Sequence, residues 1–453
     1  MKGKNKFYVL TALFLWACSA VVNAQNLTTI GEIKQLKGNT DFTVTFAPNT
    51  VQVIALEKND LGNVGGTYLW DGKDGLFLFN DMLPSWPIND LRVGDYISGT
   101  LSGKWEYTYW DVYNADGDVV IGNNAPLVPL KATGQEIVEN GAYNKFGLYQ
   151  ITGTFNKNRL QFLSDDGVLY HMEDNFRMSL PEESSHGTLT AMFYQGDIAN
   201  YLWPVQTDGF VADDVPFVPE ATLETDVVYN LSDLKKCLTS VKLVLKDGYK
   251  IQVLNSLGSA YFLWDGTEGL LLHDGARKIA DKVGAGMVMT GGTLFCETRT
   301  GFYGVVGHED LTVEQSTEIM APIKKSIATV GPADIHGYLK LYGQIEKGEH
   351  GHYKLTDGES SVVLADRFEY GTNFENLVGK KGYVQVIYHF VGNRFVVYPE
   401  DFFTEDANGL QSVEQEQERL KKQGAYTIDG RRVSHPSSQW RGLLIENGRK
   451  VVR

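Results

Sequence analysis

Nine histidines are spread through the chain, and His350 and His352 alternate beside Glu346 and Glu349. A divalent cation needs three or four converging N, S or O ligands. No cysteine or third histidine lies at ligand spacing, so this reads as an exposed polar loop. The run Asp111 to Asp118 has oxygen donors at alternate positions, as a calcium loop would, but Gly122 stands where the twelfth-position glutamate is required, which makes the run a turn. Glycoside hydrolysis needs two carboxylates facing each other across a bond. Asp71 with Asp74, and Asp265 with Glu268, occupy equivalent positions, yet Asp71 and Asp265 are already explained as turn formers. No G-x-S-x-G nucleophile elbow is present. No catalytic residue, metal site or cofactor is therefore expected, and the chain reads as a non-enzyme; the alternative is a secreted, carboxylate-based, glycan-directed hydrolase.

Aromatic residues carry the best signal for binding. Trp70 and Trp264 each precede an Asp-Gly pair, and Tyr68, Trp105, Tyr107 and Trp110 can add to a platform in the first module. Tryptophan or tyrosine on an exposed sheet face stacks on sugars or anchors a protein partner. The competing reading is that Trp70 and Trp264 cap a barrel core, because repetition in two modules suits a shared packing role. The formal charge of −15 becomes more negative once a lysine-rich leader is removed. That balance argues against nucleic acid, which would need a basic groove, and leaves a glycan or a surface protein as partner.

The leader is residues 1–24. Lys2, Lys4 and Lys6 precede the apolar run from Phe7 to Ala17, and Val22-Asn23-Ala24 is a small-residue exit, so the segment reads as a secretory signal, with lipidation at Cys18 the minor alternative. Export to the periplasm, cell surface or medium follows, and no segment reaches membrane-spanning length. Cys237 and Cys296 then remain, either as one disulfide or as two buried small hydrophobes.

The elements that must position these residues are strands. Tyr68-Leu69-Trp70-Asp71-Gly72 followed by Gly75-Leu76-Phe77-Leu78 returns as Phe262-Leu263-Trp264-Asp265-Gly266 followed by Gly269-Leu270-Leu271-Leu272. Each predicts two strands joined by an Asp-Gly turn of the primed type, with positive φ at both residues. Further Asp-Gly pairs lie at Asp166 and Asp357. Phe42–Phe46 and Val51–Ala55 read as two successive strands. Ile251-Gln252-Val253 stands opposite Val51-Gln52-Val53. The expected architecture is all-β, with tandem small barrels: module 1 over 25–130, a divergent module 2 over 133–215, module 3 over 225–318 repeating the first, and module 4 over 332–402. A charged helical spacer over 411–424 and a β-hairpin tail over 425–453 follow.

The strand and glycine pattern resembles the oligonucleotide/oligosaccharide-binding (OB) fold. Module 4 carries it best, through Tyr353-x-Leu355-x-Asp357-Gly358 and Gly382-Tyr383-Val384. The tail, Tyr426-Thr427-Ile428-Asp429-Gly430-Arg431-Arg432-Val433 and then Gly442-Leu443-Leu444-Ile445-Glu446-Asn447-Gly448, is similar to the sorting tails of secreted Bacteroidetes proteins. That resemblance implies type IX secretion and recognition of the tail by secretion machinery. The OB resemblance implies binding across barrel strands two and three.

Overall fold

The computed structural model describes residues 27–58, 64–79, 90–106, 111–196, 199–299, 302–316, 318–389, 393–396 and 402–405, and strand segments within 425–452. The leader, Tyr107, Trp110 and the proposed helical spacer lie outside the described residues. No described helix is long and apolar enough to cross a membrane.

The chain is almost entirely β. Four successive sheets each close in the order 1-2-3-5-4-1, with strands 3 and 5 parallel and the other neighbours in the circuit antiparallel. This is the topology of the OB barrel. Barrel 1 is built from Thr40–Lys58, Val64–Trp70, Gly75–Phe79, Asp95–Glu106 and Asp111–Asp116. Barrel 2 uses Leu148–Asn156, Gln161–Ser164, Leu169–Met172, Ser185–Gln195 and Asn200–Pro204. In barrel 3 the first strand is split into Val241–Leu245 and Ile251–Leu257, followed by Ala260–Trp264, Gly269–His273, Met287–Arg299 and Phe302–Gln315. Barrel 4 comprises Tyr338–Lys347, Tyr353–Thr356, Ser361–Ala365, Lys381–Tyr388 and Asn393–Val396. Four short strands in the tail form a separate open sheet. Two of its pairings are the hairpins expected around Asp429-Gly430 and Asn447-Gly448.

Two sequence expectations are corrected. Phe42–Phe46 and Val51–Ala55 belong to one strand, because both halves pair with Asp95–Glu106 across an irregularity between Phe46 and Val51. The Asp-Gly pairs are not two-residue primed turns. Gly72, Gly266 and Gly358 have positive φ, at 92°, 98° and 101°, but the preceding aspartates do not. The aspartate instead caps a four-residue loop: Asp71 Oδ1 accepts from Lys73 N (3.0 Å) and Asp74 N (2.7 Å), and Asp71 N donates to Asp74 O. Asp265 and Asp357 repeat the arrangement.

The hairpin aspartate has a second partner. Asp71 Oδ2 accepts from Ile30 N at the start of a five-residue helix, Ile30–Lys34. Asp166 accepts from Gly134 N and Gln135 N of the helix that precedes barrel 2. In barrel 3 the link runs through Tyr249, whose hydroxyl donates to Asp265 Oδ2 (2.7 Å) and accepts from Leu231 N (2.8 Å). A helix this short has too few internal bonds to persist alone. Its orphan N–H groups are met by the hairpin and by a Thr29–Glu32 capping box, and Ile30 and Ile33 are fully buried.

The barrels are paired within two compact units, with barrels 1 and 2 in the first and barrels 3 and 4 in the second. In the first unit the apolar core of barrel 1 continues onto Phe146, Leu148, Met192, Trp203 and Val205 at the near side of barrel 2. The junction is set by the glycine that opens strand 3. A Cβ on Gly75 would overlap the main-chain carbonyl of Phe146, the residue leading into barrel 2; one on Gly269 would overlap the carbonyl of His336, leading into barrel 4. Phe146 and His336 both sit in the left-handed region, at φ 68° and 67°. The outgoing linker is held from the same barrel: Gln52 Nε2 donates to Ala125 O and Pro126 O, and Trp70 Nε1 to Val128 O (3.0 Å). Gln252 Nε2 and Trp264 Nε1 donate in the same way to Glu318 O and Ala321 O.

Gly75→Ala and Gly269→Ala are each expected to lower stability by about 1–3 kcal/mol through overpacking against backbone that cannot rotate away. Gly331→Ala, where a Cβ meets nothing within 4 Å, is expected to stay within about 0.5 kcal/mol. Urea midpoints of the three variants check this.

Candidate functional site

Trp70, Trp105 and Trp264 are almost fully buried, at 2%, 0% and 0% exposure, and Tyr68 at 4%. They do not form an exposed platform. Trp70 and Trp264 are covered by the following barrel, their edges standing against Tyr149 at 6.0 Å and Tyr338 at 6.3 Å between ring centroids. Trp105 lies in the core of barrel 1.

The structure does gather aromatic rings where barrel 1 meets barrel 2, and Tyr68 is at their base. Phe77 packs 4.6 Å from Tyr68, Phe146 lies 5.3 Å from it, and Tyr194 lies 6.0 Å from Phe146. Tyr194 stacks on Trp203 at 4.4 Å and 16°. Phe77, Tyr194 and Tyr201 are half-buried, and Phe79, 6.3 Å beyond Phe77, is 43% exposed. Lys145 Nζ sits 4.6 Å above the Tyr194 ring and 5.2 Å above Phe146. Such placement over a ring face is attractive. Sequence reasoning missed this cluster because its members come from four strands and a connecting loop. The one available signal was the alternation of Phe77 and Phe79 outward from the hairpin.

Two carboxylates border the cluster. Burial and the neighbouring Glu106 charge push Asp111 up to about 6, with Lys145 opposing. Burial also raises Glu173. Asp111 opens the fifth barrel strand rather than a turn. His350 is exposed on a short 3-10 turn. Among the described residues there is no group of three or more His, Cys, Asp or Glu side chains arranged to hold a metal. A separate cavity of about 190 Å³ in barrel 2, floored by Leu189 and Pro204, is smaller than the roughly 300–1,000 Å³ usual for small-molecule pockets.

Cys237 and Cys296 are buried thiols in the barrel 3 core. Burial, and then the nearby Cys237, push the Cys296 thiol up to about 12. A thiol held that far above neutral pH is a poor nucleophile.

The junction also contains a buried lysine. Lys34, 3% exposed, donates to Tyr143 O (2.5 Å) and Lys145 O (3.3 Å), joining the helix of barrel 1 to the turn before barrel 2. Burial brings it down to about 8, against the opposing pull of Asp74 and Asp71. In barrel 2 itself, His186 bridges Asp165 (2.9 Å) and Asp213 (2.7 Å), pinning the segment that leaves the barrel. Those carboxylates raise the imidazole.

No family model matches the chain, and no curated protein matches it. Among solved structures, a chain described as "Structural mimicry for functional antagonism" aligns over 34% of this chain and 90% of its own length, at 11% identity and a TM-score of 0.18. A similarity at that score does not bear on the fold.

Lys34 gives the first unit a defined pH dependence. The unfolded lysine keeps its proton to about 10.5 and the folded one to about 8. Between these values the unfolded state binds more protons, so stability rises with pH, by up to about 1.4 kcal/mol per unit. Tyr143, pushed up to about 12 by burial and by Asp74, acts oppositely above its ordinary value of 10, which leaves pH 8 to 10 as the clean window. Lys34→Met is expected to remove that slope in chemical denaturation measured across the window.

Proposed function

We propose that this chain is an exported, non-catalytic protein of the cell envelope or surface that binds a glycan or a protein through the aromatic surface between barrels 1 and 2. The observation that carries the reading is the graded exposure of that cluster, from buried Tyr68 and Phe146 through half-buried Phe77, Tyr194 and Tyr201 to exposed Phe79. A base locked by packing with ring faces at the surface is what a rigid aromatic anchor requires. The net charge of −15 supports a glycan or protein over a polyanion. Export rests on the lysine-rich leader and its small-residue exit. The tail belongs to the same proposal, as a segment read by secretion machinery after the barrels have folded.

One observation favours the hydrolase alternative. Asp111 is held near 6 beside the aromatic surface, and perturbed carboxylates cluster at catalytic sites. A glycosidase further needs a second carboxylate facing the first across the bond.

A glycan-array and surface-protein pull-down screen of the mature chain tests the proposal, with Phe79→Ser and Tyr201→Ala as variants. Both are expected to weaken the captured interaction about tenfold or more, equivalent to about 1.4 kcal/mol, with an unchanged unfolding midpoint for Phe79→Ser and a cooperative, if lowered, midpoint for Tyr201→Ala. Binding unaffected by both variants contradicts the site. Turnover of a captured glycan that is lost in Asp111→Asn favours the hydrolase.

A further inference from the structure

The junction of barrels 3 and 4 repeats that of barrels 1 and 2 with different chemistry at its centre. The left-handed residue pressed against the strand 3 glycine is Phe146 in one and His336 in the other. Each is bonded to strand 4 of its barrel in the same way: Phe146 N donates to Phe193 O and Phe193 N to Gly147 O, while His336 N donates to Tyr388 O and Tyr388 N to Gly337 O. The next residue is Tyr194 on strand 4 of barrel 2 and His389 just past the end of strand 4 in barrel 4. Ring pairing is conserved between the junctions, at 6.0 Å and 33° for Phe146 with Tyr194, and 5.3 Å and 36° for His336 with His389. The place of Tyr68 is taken by Phe262, 5.5 Å from His389 and 6.3 Å from His336. Phe176, whose ring lies 5.4 Å from Tyr68, has its counterpart in Phe368, 5.6 Å from Phe262.

Two imidazoles thus stand where the first unit has rings that do not titrate near neutral pH. His336 and His389 are 5% and 3% exposed. An imidazolium is disfavoured by burial against aromatic rings, and a second charge at this separation adds repulsion. The other titratable or charged residues on the surrounding elements are Tyr388 on strand 4, Arg367, Glu369 and Tyr370 around Phe368, Asp334 before His336, and His273 with Asp274 at the end of strand 3 of barrel 3. Four of these have side-chain hydrogen bonds that bear on the junction. The Tyr370 hydroxyl accepts from Asn255 Nδ2 on strand 1 of barrel 3. Lys325 Nζ donates to both oxygens of Asp334 at 2.6 Å. Asp274 accepts from Lys278 N and Ile279 N. His273 Nε2 lies 2.9 Å from Ser259 Oγ.

We propose that the His336–His389 pair makes the junction of barrels 3 and 4 acid-sensitive, so that protonation loosens it while the Phe146–Tyr194 junction of barrels 1 and 2 stays closed. The charged imidazoles are better solvated in the open junction, so opening is favoured as pH falls through the ordinary imidazole range near 6.5. The first unit has the same backbone and no histidine at these positions. Its buried His171, brought down to about 3 by burial, packs 5.7 Å from Tyr201 rather than against Tyr68 or Phe146, so the reference is read at Tyr68 and Phe146 and the control is the double variant.

Hydroxyl-radical footprinting of the mature full-length chain, read residue by residue by mass spectrometry, tests this at about pH 7.5 and about pH 5. Labelling of Phe262 and Phe368 is expected to rise about threefold or more at the lower pH, with Tyr68 and Phe146 unchanged. The double variant His336→Phe, His389→Tyr is expected to abolish the rise. An equal rise in both units, no rise in either, or a rise that persists in the double variant overturns the proposal. If the double variant does not fold, His389→Tyr alone, which places the barrel 2 residue at the matching position, is expected to reduce the rise by about half or more, and an undiminished rise overturns the proposal.

Discussion

The organisation of this chain depends on one close approach of backbone to backbone. At Gly75 and again at Gly269 the third strand of a barrel runs so near the entry of the next barrel that no Cβ fits between them. The approaching residue must itself leave the usual backbone regions, as Phe146 and His336 do with φ near 68°. A left-handed non-glycine residue carries steric strain, and it persists because strand 4 of its own barrel bonds it on both sides. The packing of two barrels on each other offsets that strain. The tryptophan, glutamine and aspartate around the hairpin then acquire linked roles: the aspartate fixes the loop and the short helix, while the glutamine and the indole hold the linker that delivers the next barrel.

This explains why the Trp-Asp-Gly hairpin occurs in alternate barrels. Barrels 2 and 4 keep a glycine turn, at Gly167 and Gly358, but have Asp165 and Thr356 in place of the tryptophan. In each unit it is the first barrel that receives the second, and it alone carries the indole that donates to the linker. The repeating element of the chain is therefore the pair of barrels, and the side chains at the two junctions are free to differ. One junction grades outward into an aromatic surface suited to binding, and the other encloses two histidines.

Much of the β architecture is legible in the residues, because strand alternation and glycine turns are local signals. The equivalence of Gln52 with Gln252 follows from the repeat and appears in the structure as two matching linker clamps. Other features are set by partners distant in sequence. The primed-turn expectation failed because the aspartate carboxylate caps a longer loop and reaches a helix 41 residues away. The sequence left Trp70 and Trp264 open between a binding face and a packing role, because an aromatic residue preceding a turn has the same signature in both; the structure buries them, and Trp105 with them. The aromatic surface between barrels 1 and 2 could not be assembled from spacing, since Phe77, Phe146, Tyr194 and Trp203 meet only after both barrels have closed.

The central claim is that barrels fold as pairs through the hairpin glycine. Native-state hydrogen exchange of the mature chain in increasing denaturant tests it most directly, by comparing amides in Leu69–Leu78 of barrel 1 with those in Leu189–Phe193 of barrel 2. The account predicts that both sets lose protection with the same opening free energy and the same denaturant dependence, because the barrel 1 core closes against Leu148, Met192, Trp203 and Val205 of barrel 2. Barrel 2 amides that stay protected after barrel 1 has opened would contradict it, and would make the barrels independent domains on a string.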